Sequence, residues 1–318
     1  MPGGYLARRL LLAAMTLLLA TAVVFFALRG LPGNIATALS AREGTPASAE
    51  TQAGVRASLG LDRPLYRQYL GWLQGLATLD MGHSWWANAP VGEMFRSGVA
   101  VSLELAALSL ALSLLIAVPL GVLAALFHDT WADYLARAFM VAGLALPGFW
   151  LGILLVLGLS VYFHYFPFST YVPFFRDPLG NLQQFIFPAL VLAWRSAAFT
   201  GRMVRAALLE TLQEDYVRTA RAKGLRERQV VLVHALRNAA LPVVTVVGFQ
   251  AAYLVGGVVV IEQVFNLPGL GRQLVQGLEA RDLPVVQALL LFFVLAAVVA
   301  NLAVDMLYAW LNPRIRFS

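Results

Sequence analysis

The chain has 318 residues, 60% of them hydrophobic and 13% charged, with a formal net charge of +6 and a mean hydropathy of +0.73. A soluble domain carries about 25% charged residues, so this composition points to an integral membrane protein. Cysteine is absent, which excludes disulfides, thiolate metal sites and a Cys nucleophile, and the basic residues lack the interleaved aromatics of a nucleic-acid surface, so they read as a topology signal.

Arg8-Arg9 precede an uncharged run from Leu10 to Leu28, which at about 1.5 Å per residue can cross a hydrocarbon core of about 30 Å. Ala20-Thr21-Ala22 offers a signal-peptide cleavage triplet, but it lies inside the run and is followed by Val23-Val24-Phe25-Phe26. The run also exceeds the usual signal core of about 7 to 15 residues. It reads as a retained first span with a cytoplasmic N-terminus.

Residues 29–98 are polar, with arginines and acids nearly balanced. Long loops translocate largely regardless of charge, so this segment is expected outside. Its Trp72, Trp85 and Trp86 read as interfacial anchors.

Five further spans are expected. Val99 to Phe127 carries Glu104 barely one turn inside and Pro119-Leu120-Gly121 deeper, and Leu135 to Phe163 carries Leu146-Pro147-Gly148-Phe149-Trp150. Phe185 to Ala206 holds Pro188 and Arg195, Asn238 to Ile261 follows a charged stretch, and Leu283 to Trp310 closes the set. Each has Pro or Gly in it or at its start. Such breaks are tolerated where neighbouring helices or a water-lined cavity satisfy the freed backbone groups, which favours a bundle with a pathway; tight small-residue packing is the alternative. The expectation is an all-α integral membrane protein of six transmembrane helices, divided at 1–28, 29–98, 99–311 and 312–318. Both termini and the charged loop at 206–237 then lie on the cytoplasmic side, where basic residues concentrate.

Glu214 to Pro242 holds the densest charge in the chain. Few helix breakers interrupt 204–223, and Arg218 is spaced to pair with Asp215 and Glu214 on one face. Gly224 follows cationic Arg221 and Lys223, which suits a left-handed helix cap at the negative end of the dipole. A second helical run from about Arg226 leads through Leu241-Pro242, so the spacing predicts helix, glycine break, helix: a projecting elbow.

Thr219-Ala220-Arg221-Ala222-Lys223-Gly224-Leu225, then His234-Ala235-Leu236-Arg237-Asn238-Ala239 and Leu241-Pro242, resemble the EAA loop of importer-type ABC permeases, in the form used by the dipeptide, oligopeptide and nickel group. Arg218-Thr219-Ala220 stands in register with that loop's opening Glu-Ala-Ala. Similar matches run along the chain: Leu59-Gly60-Leu61-Asp62-Arg63-Pro64-Leu65, Leu79-Asp80-Met81-Gly82 where the family usually has Gly-Asp-Leu-Gly, Glu262 to Gly271, Arg281 to Gln287, and Asn312-Pro313-Arg314-Ile315-Arg316; Pro32-Gly33-Asn34-Ile35 departs from the Pro-Gly-Asp-Pro the family often has there. The resemblance implies the type I, MetI-like permease bundle in a bacterial cytoplasmic (inner) membrane. It also implies a coupling helix around Glu214, Asp215, Arg218, Thr219, Ala220, Arg221, Lys223, Gly224 and Leu225 that docks on an ATP-binding subunit. The implied partners are a second related permease, two ATP-binding subunits and an external solute-binding protein, with di- and oligopeptides as substrates and nickel or another small solute as the alternative.

The residues agree with a non-catalytic role. Lys223 is the only lysine and is followed by Gly224-Leu225, so no Gly-x-x-x-x-Gly-Lys-Ser/Thr phosphate loop exists and any ATP and Mg belong to other subunits. Neither a nucleophile elbow nor a His-Glu-x-x-His string occurs, and no His pair has metal-ligand spacing. An ion-coupled carrier would need ionisable groups deep in the bundle. The chain offers marginal Glu104, Asp305 and the cation Arg195. Arg195, about two turns past Pro188, reads as a pathway cation; pairing with Glu104 or snorkelling is the structural alternative.

Overall fold

The computed structural model of the protein describes residues 3–30, 57, 60–164 and 170–311. Pro32-Gly33-Asn34-Ile35, Leu59, and the tail 312–318 with its Asn312-Pro313-Arg314-Ile315-Arg316 lie outside the described residues. In chain order the helices are α1 (Gly3–Gly30), α2 (Leu65–Ala77), α3 (Val91–Leu126), α4 (Trp131–Ala145), α5 (Gly148–Phe163), α6 (Pro178–Thr211) and α7 (Asp215–Ala222). A single turn at Glu227–Gln229 and a π-helical stretch, Val230–Ala235, lead into α8 (Leu236–Val264), followed by α9 (Leu270–Glu279) and α10 (Leu283–Leu311).

Among the described residues, three helices are long and apolar enough to cross a membrane alone: Ala7–Gly30, α3, and Leu283–Met306. Two bent pairs raise this to five if each is one span. The first pair covers the span expected over 135–163 and is sharply bent at its Pro147 break. Pro147 holds Leu146 extended at ψ 132° and cannot donate to the helical ladder, so α4 and α5 meet at 101°. The second pair is bent by 55° just before Pro242. The fourth expected span lies inside α6, which is helical for 34 residues; Gln183, Gln184, Arg195, Arg202 and Arg205 make it more polar than the others. Helix α3 begins at Val91, eight residues ahead of the expected Val99.

The chain divides into two compact units, Met1–Ser102 with Pro268–Val298, and Leu103–Leu267 with Val299–Ser318. In the first, Val24 and Leu28 of α1, Val91 of α3, Leu270 and Leu274 of α9 and Val285, Val286 and Leu289 of α10 form a buried core. Trp72, expected as an interfacial anchor, stacks on Phe25 of α1 at 5.8 Å. The Asp282 carboxylate accepts from the Ser84 hydroxyl and the Trp86 backbone N–H, closing the loop before α3 onto the start of α10.

In the second unit α6 is the central helix, packed by α4, α5 and α8. It crosses α3 closely at Gly121, where a Cβ would stand 2.7 Å from the Gly201 carbonyl oxygen. Near the elbow end of α6, Arg205 donates from Nε and Nη2 to the two oxygens of Asp133 on α4, both at 2.8 Å. The Asp133 side chain is wholly buried. Arg137 stands 3.5 Å away and is more exposed. Fork-to-carboxylate geometry of this kind satisfies a charge that could not otherwise be buried.

Asp133→Ala strands the Arg205 guanidinium and is expected to cost about 3 to 5 kcal/mol, read as a lower unfolding midpoint of the purified protein in detergent. Arg137→Ala is expected to cost about 1 kcal/mol or less. Equal midpoints for wild type and Asp133→Ala would contradict this assignment.

Candidate coupling elbow and pathway face

The elbow forms, but not from one helix over 204–223. Helix α6 ends at Thr211, Leu212 to Glu214 turn by short backbone bonds, and α7 starts afresh at Asp215. The turn lets Val217 and Ala220 bury against Val230 and Leu212, and the acidic Asp215 suits the positive end of the new helix. Arg218 pairs with Asp215 at 3.5 Å; Glu214 instead gives its backbone carbonyl to Val217 and Arg218.

Gly224 has φ +76°. Its N–H reaches the Arg221 carbonyl at 2.9 Å and the Leu225 N–H reaches Ala220 at 3.4 Å, the paired bonds of a left-handed helix cap. No heavy atom lies within 4 Å of where a Cβ would sit, so conformation, not space, demands glycine there. Across the break, Arg221 grips Glu227 with two bonds, Nη2 to Oε1 at 2.6 Å and Nε to Oε2 at 3.1 Å. These bonds hold the Glu227 carboxyl below its usual 4.5, with partial burial opposing. Asn238 donates to the Tyr216 hydroxyl at 2.8 Å, tying α7 to α8.

The elbow is therefore a braced turn with one outward face. Glu214, Asp215, Arg218, Thr219, Arg221, Lys223, Gly224 and Leu225 are exposed. Ala220 is buried and seats α7 against Val230 and Leu212. The π-helical turn at Val230–Ala235 inserts extra backbone between the elbow and α8, a device that recurs at functional sites.

The two pathway candidates do not meet. Glu104 accepts from the Tyr171 hydroxyl at 2.8 Å; burial, reinforced by this bond, raises that phenol to about 12. The Arg195 guanidinium lies 5.8 Å from the Tyr253 ring centroid, so Glu104 is not its partner. The Arg221–Glu227 pair went unread in the sequence, although opposite charges flanking Gly224 were the signal for it. The Asp133–Arg205 pair, 72 residues apart, had no local signal, nor had the bonds from Gln250 to Ser196 and Thr200. Among the described residues no group of His, Asp and Glu could hold a metal ion.

Apolar helices long enough to cross a membrane, together with a braced charged elbow, are the frame of a membrane-embedded subunit. The chain belongs to the family of inner membrane components of binding-protein-dependent transport systems, ABC importer permeases. Residues 117–317 match the model of that component, and residues 4–114 match the model of its N-terminal region. It is 40% identical over 311 residues to a permease protein of Brucella abortus (strain 2308) named for a peptide transport system, covering 98% of each chain. It is also 39% identical over 315 residues to the glutathione transport system permease protein GsiC of Escherichia coli (strain K12), covering 99% of each. A crystal structure of an amino acid ABC transporter with histidines shares the fold at a TM-score of 0.54 and 14% identity, over 69% of this chain and 94% of that one.

Because the Glu227 carboxyl is shifted down, its pairing stabilises the elbow above pH 4.5 and is lost as pH falls through the lowered value. Glu227→Gln should lower the unfolding midpoint near neutral pH by the equivalent of about 1 kcal/mol or less, since the pair is exposed. The gap to wild type should close in acid; a gap independent of pH would contradict the pairing.

Proposed function

We propose that this chain is one of two related permease subunits of a peptide importer in a bacterial inner membrane. Peptide as the substrate class is supported by the relatives at 40% and 39% identity, named for peptide and glutathione transport systems, which cover nearly the whole chain. The observation that carries the mechanism is the braced Gly224 elbow. A coupling element must transmit force, and the Arg221–Glu227 grip, the glycine cap and the Val217–Val230 contact make it stiff.

On this reading two ATP-binding subunits carry ATP and Mg, and one of them receives the outward face from Glu214 to Leu225. A binding protein delivers substrate from outside. ATP binding moves the elbow, and the elbow biases the bundle between outward-open and inward-open states. Six spans, with both bent pairs crossing and α6 as another, put the two termini and the elbow in the cytoplasm. Arg195, with Glu104 nearer the outer side, lines the pathway.

Gly224→Val places a β-branched residue at φ +76°, at a cost of about 1 to 2 kcal/mol. Uptake of radiolabelled dipeptides by cells carrying the whole system should fall at least about tenfold, with unchanged amounts of the chain in the membrane. Undiminished uptake would separate the elbow from transport, and absence of peptide uptake by the wild-type system would refute the substrate class.

A further inference from the structure

Helix α6 carries an exposed stripe of Arg195, Phe199, Arg202 and Ala206, spaced four, three and four residues apart on one helical face. Helix α8 carries a second, Phe249, Tyr253, Gly256 and Val260, with the same spacing and equally exposed. The two stripes adjoin. Arg195 reaches toward Tyr253, and beside them Gln250 of α8 donates to the Ser196 carbonyl at 3.1 Å and the Thr200 hydroxyl at 3.0 Å on α6.

Depth makes this surface unusual. Helix α6 is 34 residues long, about 51 Å at ~1.5 Å per residue, and Arg195 sits near its midpoint. Arg202 is about 10 Å nearer the elbow. An arginine facing lipid at that depth is costly, so lipid is a poor neighbour for this face. No carboxylate among the described residues pairs with either arginine. Arg205, on another face of the same helix, has its carboxylate in Asp133. The contrast separates a structural arginine from two that hold no carboxylate among the described residues.

We propose that Arg195 and Arg202 form a two-station track for carboxylate groups, Arg195 first and Arg202 second, along which a peptide's C-terminal carboxylate or another organic acid passes. This rests on the importer reading and adds the substrate's charge class. Guanidinium forks match carboxylates with two parallel bonds. The Tyr253 ring faces the Arg195 guanidinium at 5.8 Å, a cation–π contact that takes up none of its N–H donors. Phe199, between the stations, supplies an apolar step that keeps the anion from resting at either.

The test uses the assembled complex, and the absence of cysteine from this chain makes it clean. Phe199→Cys is reacted with a carboxyethyl methanethiosulfonate and with a trimethylammonium one, the unsubstituted complex serving as blank. The carboxylate reagent should react about tenfold faster, and Arg195→Gln with Arg202→Gln should bring the two rates together while the sister permease still co-purifies. Arg195→Lys, which keeps charge but loses the fork, should retain the rate preference yet lower peptide import. No reaction with either reagent, equal rates in the Phe199→Cys complex, or loss of the sister subunit on Arg195→Gln would each overturn the track; the last two would assign the arginines to acids of that subunit. The importer reading fails separately, if the complex lacks ATP-binding subunits whatever the reagent rates.

Discussion

A polar group taken into hydrocarbon must find a partner in the protein or in water it can reach, and the placement of charge and of broken backbone in this chain follows from that. Asp133 is wholly buried because Arg205 meets both its oxygens. The Leu146-Pro147 break turns the chain by 101°, and the Ala142 carbonyl keeps the Leu146 N–H as its donor across the end of α4. Glu104 finds Tyr171. Arginines without such partners lie on exposed faces, as Arg195 and Arg202 do on α6, or in the elbow.

The elbow obeys a different demand. Its charges are in water, where an ion pair contributes little, so charge alone would leave it loose. Stiffness comes from combination: a left-handed glycine, a two-bond grip across it, and Val217 and Val230 buried beneath. One face is used to hold α7 down, and the other remains free for a partner. The asparagine bond from α8 to Tyr216 continues this bracing past the π-helical turn, so the element that would receive a push is joined to the helix that would pass it on.

Much of this was legible in the sequence, for physical reasons that can be named. Long apolar runs marked α1, α3 and α10, because a membrane asks only for hydropathy and length. Gly224 after two cations marked the cap, a local event. The single helix over 204–223 was wrong because propensity could not foresee that Val217 would bury under Val230; tertiary contact overrode it. The bend at Pro147 was a recognisable break, but its angle depends on what α4 and α5 pack against. Likewise Arg195 could be singled out by its depth, whereas its neighbour Tyr253, 58 residues later in the sequence, could not. Arg205 and Asp133 show the limit most clearly, since neither has a local pattern and only the crossing of α4 and α6 joins them.

The Gly224 elbow is proposed to couple this permease to an ATP-hydrolysing partner. Its most direct test is to purify the chain from native membrane, identify by mass spectrometry what remains bound, and assay ATP hydrolysis with and without a peptide mixture and binding protein. A sister permease, ATP-binding subunits and hydrolysis stimulated by peptide-loaded binding protein are expected. A homo-oligomer without ATPase activity would contradict it.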